Sequence, residues 1–517
     1  MASAVSIGSG SLWSATAQMP SGAAVLDRDL NVDVCVVGGG IAGLTTAYLL
    51  ARTGVQVALL EARELGAGET GHTTAHIAMP DEHYWRIEQS YDADTARLVA
   101  ESFAGAIDLI ERIVQTENID CDFERLDGYL ISCARQPEAA LQREYAAARR
   151  AGVEVERVAH LPFGHFPPQA SLHFPMQAQF HPLRYLAALA RAVEDASGVI
   201  YTHAPVTSIE EDPGGVTVHT DKYTVRATAA VVATNTPIND RVAIHAKQTA
   251  WQSYVVAASV PEGMLPHILL WDDADPYHYV RLARSPQGYE LLIVGGEDHK
   301  SGQESDPERC YRALEDWLRE HFPMAGPIEY RWSGQVMEPL DGLAYLGRNP
   351  GDREIYLITG DSGDGITHAT VGAALVADLI AKRPNRWEAV YSPSRKPLKQ
   401  ALQFVRDQSN IASRYADWLS AGDAASAAAL QPGEGALLRS GLKKLAVYRD
   451  ENGELHACSA VCPHLSCIVQ WNSVEKTWDC PCHGSRFDVD GQVLHGPAVS
   501  GLAAFEPGTP QQRRALR

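Results

Sequence analysis

The glycine-rich turn near the start of the chain constrains its fold more than any other feature. Residues 32–61, VDVCVVGGGIAGLTTAYLLARTGVQVALLE, have the pattern of an apolar strand, a turn, a helix and a second strand. Gly38, Gly40 and Gly43 have the G-x-G-x-x-G spacing. Such glycines permit the tight turn, the close approach of a pyrophosphate to the backbone and the packing of helix on strand. The segment therefore predicts an α/β unit that binds a dinucleotide.

The residues around this turn strengthen the prediction. The helix begins at Ile41 and Ala42, so its N-terminal N–H groups are expected to face the phosphates. Glu61 ends the second strand 18 residues after Gly43, where a carboxylate reaches the ribose hydroxyl groups, and Ala62 follows it. A glycine triplet alone is weak evidence. The strand before it, the helix after it and the terminal acid together favour a nucleotide site over a structural turn.

Length and charge exclude several classes of protein. The chain has 517 residues, enough for two or three domains, and its 44 basic and 64 acidic residues give a net charge of −20. This charge argues against nucleic-acid binding and mildly favours cationic or neutral substrates. No apolar run approaches the length of a membrane span, and the first 30 residues show no basic region followed by an apolar one. We therefore expect a cytoplasmic protein without a membrane span.

The middle of the chain has the pattern of an aromatic antiparallel sheet. Residues 251–296 alternate polar and apolar positions, with a hairpin turn at residues 285–288. One face of such a sheet packs on a core, while the other can line a pocket. Apolar residues at helical spacing predict helices over residues 94–116, 182–197 and 307–321. These patterns predict a second domain beside the dinucleotide-binding one.

Two further glycine-rich segments are able to approach a cofactor. Residues 66–74, GAGETGHTT, suit a loop pressed against a planar ring system or a pyrophosphate. Residues 360–367, GDSGDGIT, connect a strand to an alanine-rich helix, so backbone N–H groups meet at a helix N-terminus. An ordinary strand-to-helix turn explains this second segment equally well. No second G-x-G-x-x-G directly follows an apolar strand and opens a helix, which argues against a dedicated nicotinamide site.

Five of the nine cysteines crowd into residues 458–482. Cys462 and His464 form a C-x-H box, and Cys480 and His483 form a C-x-x-H box after 15 intervening residues. Two thiolates and two imidazoles fit a Rieske [2Fe–2S] cluster, with the cysteines on one iron and the histidines on the other. Structural zinc is the alternative, because two cysteines and two histidines also suit a tetrahedral ion. Zinc would not require the two further cysteines within the boxes.

The two boxes resemble those of the Rieske proteins of cytochrome bc-type respiratory complexes. The ligands that this resemblance implies are Cys462, His464, Cys480 and His483. It also implies a disulfide between Cys467 and Cys482 that ties the two loops together, with residues 496–498 (GPA) as the proline loop over the cluster. The chain keeps Ser485 but has Phe487 where the family has a tyrosine that donates to a ligand sulfur. Loss of that hydrogen bond implies a reduction potential below the respiratory type.

The first 385 residues resemble the D-amino-acid oxidase-like superfamily of FAD enzymes, which includes glycine oxidase and sarcosine oxidase. The resemblance rests on the first glycine turn, Glu61, residues 180–182 (FHP), residues 205–206 (PV), Gly347 and residues 360–367. With the C-terminal boxes, the whole chain is similar to bacterial FAD-dependent oxidoreductases that carry a C-terminal Rieske domain.

This resemblance implies FAD as a cofactor, with the AMP ribose on Glu61 and the adenine near the Val206 backbone. The residues it implies near the isoalloxazine are Gly360, Gly363, Gly365, Ile366 and Thr367. Residues 67–72 (AGETGH) also resemble the A-G-x-T-x-H of dimethylglycine and sarcosine dehydrogenases. That likeness implies a covalent bond between His72 and the flavin, with Thr73 and Thr74 beside it. The alternative is a histidine that only hydrogen-bonds to the cofactor.

We predict an α/β fold in which a FAD-binding Rossmann-like domain adjoins an antiparallel-sheet substrate domain, followed by a C-terminal all-β Rieske domain. The predicted boundaries are residues 1–30 for an N-terminal lead-in, 31–80, 178–240 and 335–385 for the FAD-binding domain, 81–177 and 241–334 for the substrate domain, 386–432 for a helical linker and 433–517 for the Rieske domain. The lead-in is expected to pack on the surface through Leu12 and Trp13.

The superfamily resemblance implies oxidation of the C–N bond of a small amine or N-alkyl amino acid. In this superfamily the substrate loses hydride to the flavin, while the protein positions the carbon and keeps the amine neutral. A Rieske cluster accepts one electron at a time, so we expect electrons to pass singly to it and then to an external acceptor. That acceptor is expected to be a carrier protein, a quinone or oxygen. This arrangement favours a dehydrogenase over an oxidase.

The substrate pocket is predicted on the aromatic sheet. The candidates are Tyr254, Tyr279 and Arg281, together with Trp271 and Tyr277. Tyr277, Tyr279 and Arg281 alternate along one strand and should share a face. The arginine could clamp a substrate carboxylate, and the aromatic faces suit an alkylated ammonium. Sheet packing or a surface ion pair is the alternative explanation for each single residue.

Two other functions fit the same sequence. In the first, the chain is an electron-transfer component, in which an outside donor reduces FAD and the Rieske domain feeds a partner enzyme. In the second, the Rieske domain is a structural or redox-sensing appendage on an amine oxidase. A Rieske oxygenase is disfavoured because no additional 2-His-1-carboxylate pattern can be placed in the sequence.

Overall fold

A computed structural model describes residues 8–20, 24–80, 83–163, 170–239, 244–396 and 398–505. The α-helices of these residues are α1 (Leu12–Thr16), α2 (Ile41–Ala51), α3 (Tyr84–Ser90), α4 (Ala93–Thr116), α5 (Pro137–Arg150), α6 (Pro182–Asp195), α7 (Pro307–His321), α8 (Gly365–Ile380), α9 (Glu388–Tyr391) and α10 (Ala401–Arg414). Short 3₁₀ helices span Glu69–Gly71, His245–Lys247, Leu398–Gln400, Tyr415–Leu419 and Ala427–Ala429.

The strands of the same residues, in chain order, are β1 (Gly8–Ser9), β2 (Ala24–Val25), β3 (Leu30–Val37), β4 (Val57–Leu60), β5 (His76–Ile77), β6 (Glu124–Ile131), β7 (Glu156–Val158), β8 (Ser171–Gln179), β9 (Val199–Thr202), β10 (Val206–Asp212), β11 (Gly215–Thr220), β12 (Thr224–Val232), β13 (Gln248–Val260), β14 (Ile268–Asp272), β15 (His278–Arg284), β16 (Glu290–Lys300), β17 (Ile328–Pro339), β18 (Tyr345–Arg348), β19 (Ile355–Thr359), β20 (Gly435–Ser440), β21 (Lys443–Arg449), β22 (Leu455–Ser459), β23 (Gln470–Asn472), β24 (Thr477–Asp479), β25 (Arg486–Phe487) and β26 (Val493–His495).

A nine-stranded sheet is built around the first glycine turn. Its strands run in the order β10-β11-β12-β3-β4-β9-β2, and β19 pairs with β12 and with β18. The pairs β3 with β4, β4 with β9, β12 with β3 and β12 with β19 are parallel. Parallel central strands are covered on both faces, which explains why the second half of β3 and all of β4 are buried. Helices α2, α6 and α8 contribute to the core against this sheet.

A ten-stranded sheet forms the second layer. Its order is β1-β17-β13-β16-β15-β14-β6-β8-β5, with β7 paired to β8. Strands β13, β16 and β15 are antiparallel, and the turn between β15 and β16 lies at residues 285–289, which confirms the predicted hairpin. Helix α7 packs on one face of this part of the sheet through Tyr311, Leu314 and Leu318. The other face is free to border a cavity.

The C-terminal region is β-rich, as predicted. It contains a three-stranded sheet of order β20-β21-β22 and a four-stranded sheet of order β23-β24-β25-β26. The turn at residues 450–454 joins β21 to β22 as a hairpin. Helix α10 lies between this region and the rest of the chain, and its Asp407 forms an ion pair with Lys300 at 2.6 Å.

The predicted apolar anchor of the N-terminal segment, Leu12 and Trp13, packs into the core. Residues Leu12–Thr16 form helix α1, and both Leu12 and Trp13 are only 1% exposed. The Trp13 Nε1–H donates to the Thr73 carbonyl oxygen at 2.6 Å. The indole therefore packs beneath the 66–74 loop. Burial of this large apolar ring stabilises the contact, and the indole N–H has a hydrogen-bond partner there. Among the described residues, no helix is long and apolar enough to span a membrane.

Candidate active site

A cavity of about 780 Å³ lies between the two large sheets and the C-terminal region. The predicted site residues that line it are Gly38, Gly40, Ile41, Ala42, Glu61, Ala62, His72, Thr73, Thr74, Val206, Gly363, Gly365, Ile366 and Tyr279. Residues far apart in sequence, from both glycine turns and from the 66–74 loop, thus meet at one cavity. Three other predicted residues of the same turns do not line the cavity: Gly43, Gly360 and Thr367.

The first glycine turn has the geometry of a pyrophosphate cradle. A Cβ atom at Gly38 would lie 2.4 Å from the Ala233 carbonyl oxygen, and one at Gly43 would lie 1.9 Å from the Gly38 carbonyl oxygen. Gly38 also has a φ of 111°, a region that favours glycine. Helix α2 begins directly after Gly40, and Gly40 supplies no side-chain cap. The Ile41 N–H donates to Thr70 Oγ1 at 3.0 Å, and Ile41 and Ala42 line the cavity, so the start of α2 lies where an anion suits a helix N-terminus.

Glu61 stands at the end of β4, where the sequence predicts it. Its Oε2 accepts from the Gly39 N–H at 2.6 Å, and its Oε1 accepts from the Arg63 N–H at 2.8 Å. The carboxylate is thus held at the cavity wall beside Val206, the first residue of β10. This placement suits a group that accepts hydrogen bonds from ribose hydroxyls next to an adenine.

The second glycine turn places a half-buried acid, Asp361, at the wall of the same cavity. Strand β19 ends at Thr359 and α8 begins at Gly365. Between them, Asp361 Oδ1 accepts from the Met337 N–H at 2.7 Å, and burial raises the pKa of this carboxyl to about 7. Gly360 has a φ of 75°, and a Cβ there would lie 2.8 Å from Pro339 Cγ. The turn therefore needs glycine and brings a helix N-terminus to the cavity.

His72 is fixed at the wall by two contacts. Its Nδ1 lies 3.1 Å from the Gly68 carbonyl oxygen, so this nitrogen carries the proton that the carbonyl accepts. Its own carbonyl oxygen accepts from Trp332 Nε1 at 2.8 Å. The imidazole lines the same cavity as Thr73 and Thr74. This location agrees with contact to a cofactor, and the covalent bond remains a prediction.

Three of the five predicted pocket residues line the cavity. Trp271, Tyr277 and Tyr279 form part of its wall, and the rings of the two tyrosines lie 5.5 Å apart. The Tyr279 hydroxyl lies 2.8 Å from Ser253 Oγ, which also lines the cavity. The wall therefore presents aromatic faces and hydroxyl groups, a surface that suits a small cationic or alkylated substrate.

Tyr254 and Arg281 lie elsewhere, which corrects their predicted place in the pocket. Tyr254 alternates with Ser253 along β13 and so points to the opposite face, where its hydroxyl lies 2.9 Å from His299 Nε2. Arg281 shares the face of Tyr279 but ends beneath the 66–74 loop. Its Nη1 donates to the carbonyl oxygens of Thr74 and Ala75 at 3.0 and 2.7 Å. The guanidinium thus holds the loop in place and is not positioned to clamp a substrate.

The C-terminal boxes bring their ligand residues together. Cys467 and Cys482 form a disulfide, which confirms the predicted pair. The sulfurs of Cys467, Cys480 and Cys482 lie within 4.8 Å of one another, but the disulfide leaves only Cys480 of these as a ligand. The second thiol is Cys462, which hydrogen-bonds to Cys480.

The two histidines complete the set. The His464 and His483 rings lie 4.9 Å apart, and both follow the cysteines of their own box. The buried Nδ1 of His483 has no hydrogen-bond partner among the described residues, so it is available to a metal. The Ser485 hydroxyl donates to the sulfur of Cys462. These four donors from two loops fit a [2Fe–2S] cluster of the Rieske type, and the disulfide accounts for the cysteines that zinc would leave unexplained.

The cavity adjoins the C-terminal region that carries the two boxes. Residues 492–496 and 498–501 of the C-terminal region line the cavity beside the 66–74 loop. Gln335 also lines it, and its Nε2 donates to the carbonyl oxygen of Gly484 at 2.9 Å, next to His483. Its backbone N–H donates to Glu69 Oε2 at 2.6 Å. One side chain therefore connects the cavity wall to the cluster loop.

Sequence reasoning missed the residues of this junction. His495 Nδ1 lies 3.1 Å from Glu69 Oε1, but burial lowers the pKa of His495 far below its ordinary value, so the contact joins a neutral imidazole to the carboxyl group. His245 packs its ring 5.0 Å from that of His464 and 5.9 Å from that of His483. Neither His495 nor His245 belongs to a motif, so the sequence gives no signal for either residue.

Comparison with known families agrees with this geometry. The family described as FAD dependent oxidoreductase matches residues 33–379, which is about two-thirds of the chain. The chain belongs to this family. A second family, the Rieske [2Fe-2S] domain, matches residues 421–506. The protein is therefore a FAD dependent oxidoreductase with a C-terminal Rieske domain, and FAD and a [2Fe–2S] cluster are its cofactors.

Similar proteins support the same assignment. A putative Rieske 2Fe-2S iron-sulfur protein of Bacillus subtilis, YhfW, is 32% identical over 502 residues, 96% of this chain and 97% of that protein. Gamma-glutamylputrescine oxidoreductase of Escherichia coli is 27% identical over 400 residues, 70% of this chain and 87% of that protein. The crystal structure of glycine oxidase from Geobacillus kaustophilus shares the fold, with a TM-score of 0.61 and 21% identity over 71% of this chain and 99% of that one.

Proposed function

We propose that this FAD dependent oxidoreductase oxidises the C–N bond of a small amine or N-alkyl amino acid and passes the electrons singly through its Rieske cluster to an external acceptor. When bound, FAD supplies a two-electron hydride acceptor and the cluster supplies a one-electron carrier. The acceptor beyond the cluster is proposed to be a carrier protein, a quinone or oxygen. The cytoplasmic location stays a prediction from the sequence.

One observation carries this proposal. The cavity that the two glycine turns enclose is also lined by residues 492–496 and 498–501 of the Rieske domain. Gln335 contributes to the wall and hydrogen-bonds to the loop that holds His483. A Rieske domain attached only as a redox sensor would not need to complete the flavin cavity. The shared wall favours electron transfer within one chain.

The residues of the cavity have distinct proposed roles. The amides at the start of α2 would bind the pyrophosphate, and Glu61 would bind the ribose. The turn at residues 360–367 would hold the flavin ring, with His72 on the opposite loop. Tyr277 and Tyr279 would bind the substrate through their aromatic faces. The chain's net charge of −20 favours approach of a cationic amine over an anion.

A relative with an established name points to the same substrate class. Gamma-glutamylputrescine oxidoreductase is named for a substrate with an amine group, and it aligns with 70% of this chain. We extend only the amine class to this protein. The substrate itself is left to experiment, because Arg281, which would have favoured a carboxylate-bearing amino acid, is engaged by backbone carbonyls.

Anaerobic reduction tests the proposal. Purified holoprotein is mixed with secondary amines, N-methyl amino acids, polyamines and proline-like compounds, while flavin absorbance and the electron paramagnetic resonance signal of the reduced cluster are followed. We expect at least one amine to bleach the flavin and to produce the Rieske signal. If every amine leaves the flavin oxidised while dithionite reduces both centres, the electron-transfer component described above replaces this proposal.

The bond to His72 is tested separately. Acid precipitation of the wild-type protein should leave flavin absorbance in the pellet if the proposed covalent bond exists, and His72→Ala should release all flavin to the supernatant. Complete release from the wild type would show that the histidine only contacts the cofactor.

A further inference from the structure

A chain of hydroxyl groups leads from the cavity wall to one carboxyl group behind it. Tyr279 lines the cavity, and its hydroxyl lies 2.8 Å from Ser253 Oγ. Ser253 in turn hydrogen-bonds to the carboxyl group of Asp298 on β16, and so does Tyr277. Ser253 on β13 and Tyr279 on β15 both adjoin β16, which explains why the three side chains meet. Asp298 is thereby connected to the cavity through side-chain hydroxyls.

The surroundings of Asp298 suit a group that gains and loses a proton. The residue as a whole is half-buried, but its Oδ1 is inaccessible to solvent and has no hydrogen-bond partner among the described residues. Burial and, to a smaller extent, the neighbouring Glu297 raise the pKa of the carboxyl to about 7. The hydroxyls of Ser253 and Tyr277 and the imidazole of His278 act in the opposite direction.

The remaining charged neighbours are already engaged. His278 packs its Nδ1 3.0 Å from Asp272 Oδ2, and its Nε2 lies 3.6 Å from Glu297 Oε1. Its ring also stacks on Trp317 with centroids 4.7 Å apart. His278 is therefore held between two carboxylates, whereas Asp298 faces the hydroxyl chain. Of this cluster, Asp298 is the group best placed to exchange a proton with the cavity.

Amine oxidation creates a need for such a group. An alkyl amine has an ordinary pKa of about 10, so at neutral pH it reaches the cavity as an ammonium ion. The nitrogen must release one proton before its lone pair can stabilise the carbon that loses hydride. A substrate that fills the cavity displaces water from around that nitrogen, which favours a protein group as the acceptor of the proton.

We propose that Tyr279, Ser253 and Asp298 form a proton relay that deprotonates the substrate's ammonium group, which rests on the function proposed above. One N–H bond of the ammonium breaks and its proton passes to the Tyr279 oxygen. The Tyr279 hydroxyl proton passes to the Ser253 oxygen, and the Ser253 proton passes to the Asp298 carboxylate. The products are a neutral amine and a carboxylic acid, and no electrons move in this step.

The first test follows the carboxyl group itself and needs no substrate. Infrared difference spectra of the holoprotein are recorded as the pH rises from 5 to 9, with Asp298→Asn as the identifying variant. We expect a protonated-carboxyl band with a midpoint near 7 that is missing in Asp298→Asn, whereas the band of Asp361, whose pKa is also about 7, persists in that variant. Ser253→Ala removes a donor to the carboxylate and should raise the midpoint by about one pH unit. Asp316→Asn, an exposed acid on α7, is the matched control and should change neither band nor midpoint.

The second test follows the reaction. The rate of flavin bleaching by an amine should rise with pH around 7 in the wild type. In the variants Asp298→Asn, Ser253→Ala and Tyr279→Phe, this rise should move to higher pH, towards the pKa of the free amine. The bleaching rate of each variant should then be roughly 100-fold below that of wild type at pH 7 but within a few-fold of it at pH 10. A pH profile unchanged in Asp298→Asn, or a loss of rate that is equal at every pH, would overturn the relay.

The two tests separate the relay from the proposed function. If the carboxyl titrates as expected and responds to Ser253→Ala but no amine bleaches the flavin, the assignment of an amine substrate fails. If amines bleach the flavin while no band is lost in Asp298→Asn, the function stands and the relay fails. Tyr279→Phe and Ser253→Ala remain informative should Asp298→Asn not fold.

Discussion

Substitution of Gly43 by alanine should weaken FAD binding through one identifiable clash. The new Cβ would lie 1.9 Å from the carbonyl oxygen of Gly38, whereas side-chain carbons essentially never approach other atoms within 3.0 Å. The start of α2 and the glycine turn must therefore separate by about 1 Å. Overpacking of this kind costs about 1–3 kcal/mol. Because the same backbone is expected to hold the pyrophosphate, we expect this cost to appear as a loss of FAD affinity of about 5- to 150-fold.

The assay must exclude a covalent cofactor and a general loss of stability. We would prepare the variant in a His72→Ala background, remove the flavin, and titrate FAD back while following flavin fluorescence. Gly214→Ala is the matched control, because it lies in the β10–β11 turn and its Cβ would meet only the flexible carboxylate of Asp212 at 3.0 Å. We expect Gly214→Ala to bind FAD within about twofold of its parent. Equal affinity in Gly43→Ala would refute a pyrophosphate site at this turn.

Three other substitutions test the cluster and the frame around the cavity. Phe487→Tyr restores a hydrogen-bond donor that the respiratory Rieske proteins place near a ligand sulfur. One hydrogen bond contributes about 0.5–1.5 kcal/mol, so voltammetry should show a rise in the reduction potential of the cluster of about 20–60 mV. An unchanged potential would contradict this comparison with the respiratory proteins. Cys482→Ser breaks the disulfide to Cys467 and should shorten the lifetime of the cluster in air at least about tenfold, measured by loss of its visible absorbance, without releasing FAD. Arg395→Met leaves the buried Asp341 carboxylate without its partner at 2.8 Å and should destabilise the protein by about 3–5 kcal/mol in urea unfolding. Burial alone would raise the pKa of Asp341, but Arg395 outweighs burial and lowers this pKa. The ion pair therefore stabilises the fold at pH values above the ordinary pKa of the carboxyl. The difference in unfolding free energy between wild type and variant should shrink as the pH falls through the lowered pKa.

The cofactor sites could be read from the sequence because each is encoded locally. Gly38, Gly40 and Gly43 occupy one turn, and their spacing follows from the need to avoid Cβ atoms at contacts of 1.9 to 3.2 Å. The cluster boxes likewise hold each cysteine two or three residues from its histidine. Such short-range geometry leaves little freedom to the rest of the fold, so residue spacing alone predicts both sites, and the structure brings the predicted residues together.

The residues of the substrate pocket are harder to predict from the sequence than the cofactor sites, because they depend on which face of a strand borders the cavity. Tyr254 and Ser253 are neighbours in sequence, and alternation places one of them on each side of β13. The aromatic residue suggested the pocket, yet α7 covers its face and Tyr254 packs on Tyr311. The serine lines the cavity. Sequence alternation gives the two faces but does not tell which face another element covers.

The junction between the two cofactor sites lay beyond sequence reasoning altogether. Gln335 on β17 and Gly484 in the cluster loop are 149 residues apart, and their hydrogen bond depends on how the C-terminal region docks on the large sheet. Glutamine and glycine carry no signal of their own at these positions. Such a contact follows from the surfaces of two finished domains and not from a local pattern.

The account's central claim is that electrons move from the flavin to the cluster inside one molecule. Flash photoreduction of the flavin in the holoprotein, with absorbance and freeze-quenched electron paramagnetic resonance to follow the cluster, tests this claim without any knowledge of the substrate. The account predicts that the cluster becomes reduced as the flavin reoxidises, with a rate constant that does not change over a tenfold range of protein concentration. A rate proportional to protein concentration, or a cluster that stays oxidised while the flavin remains reduced, would contradict it.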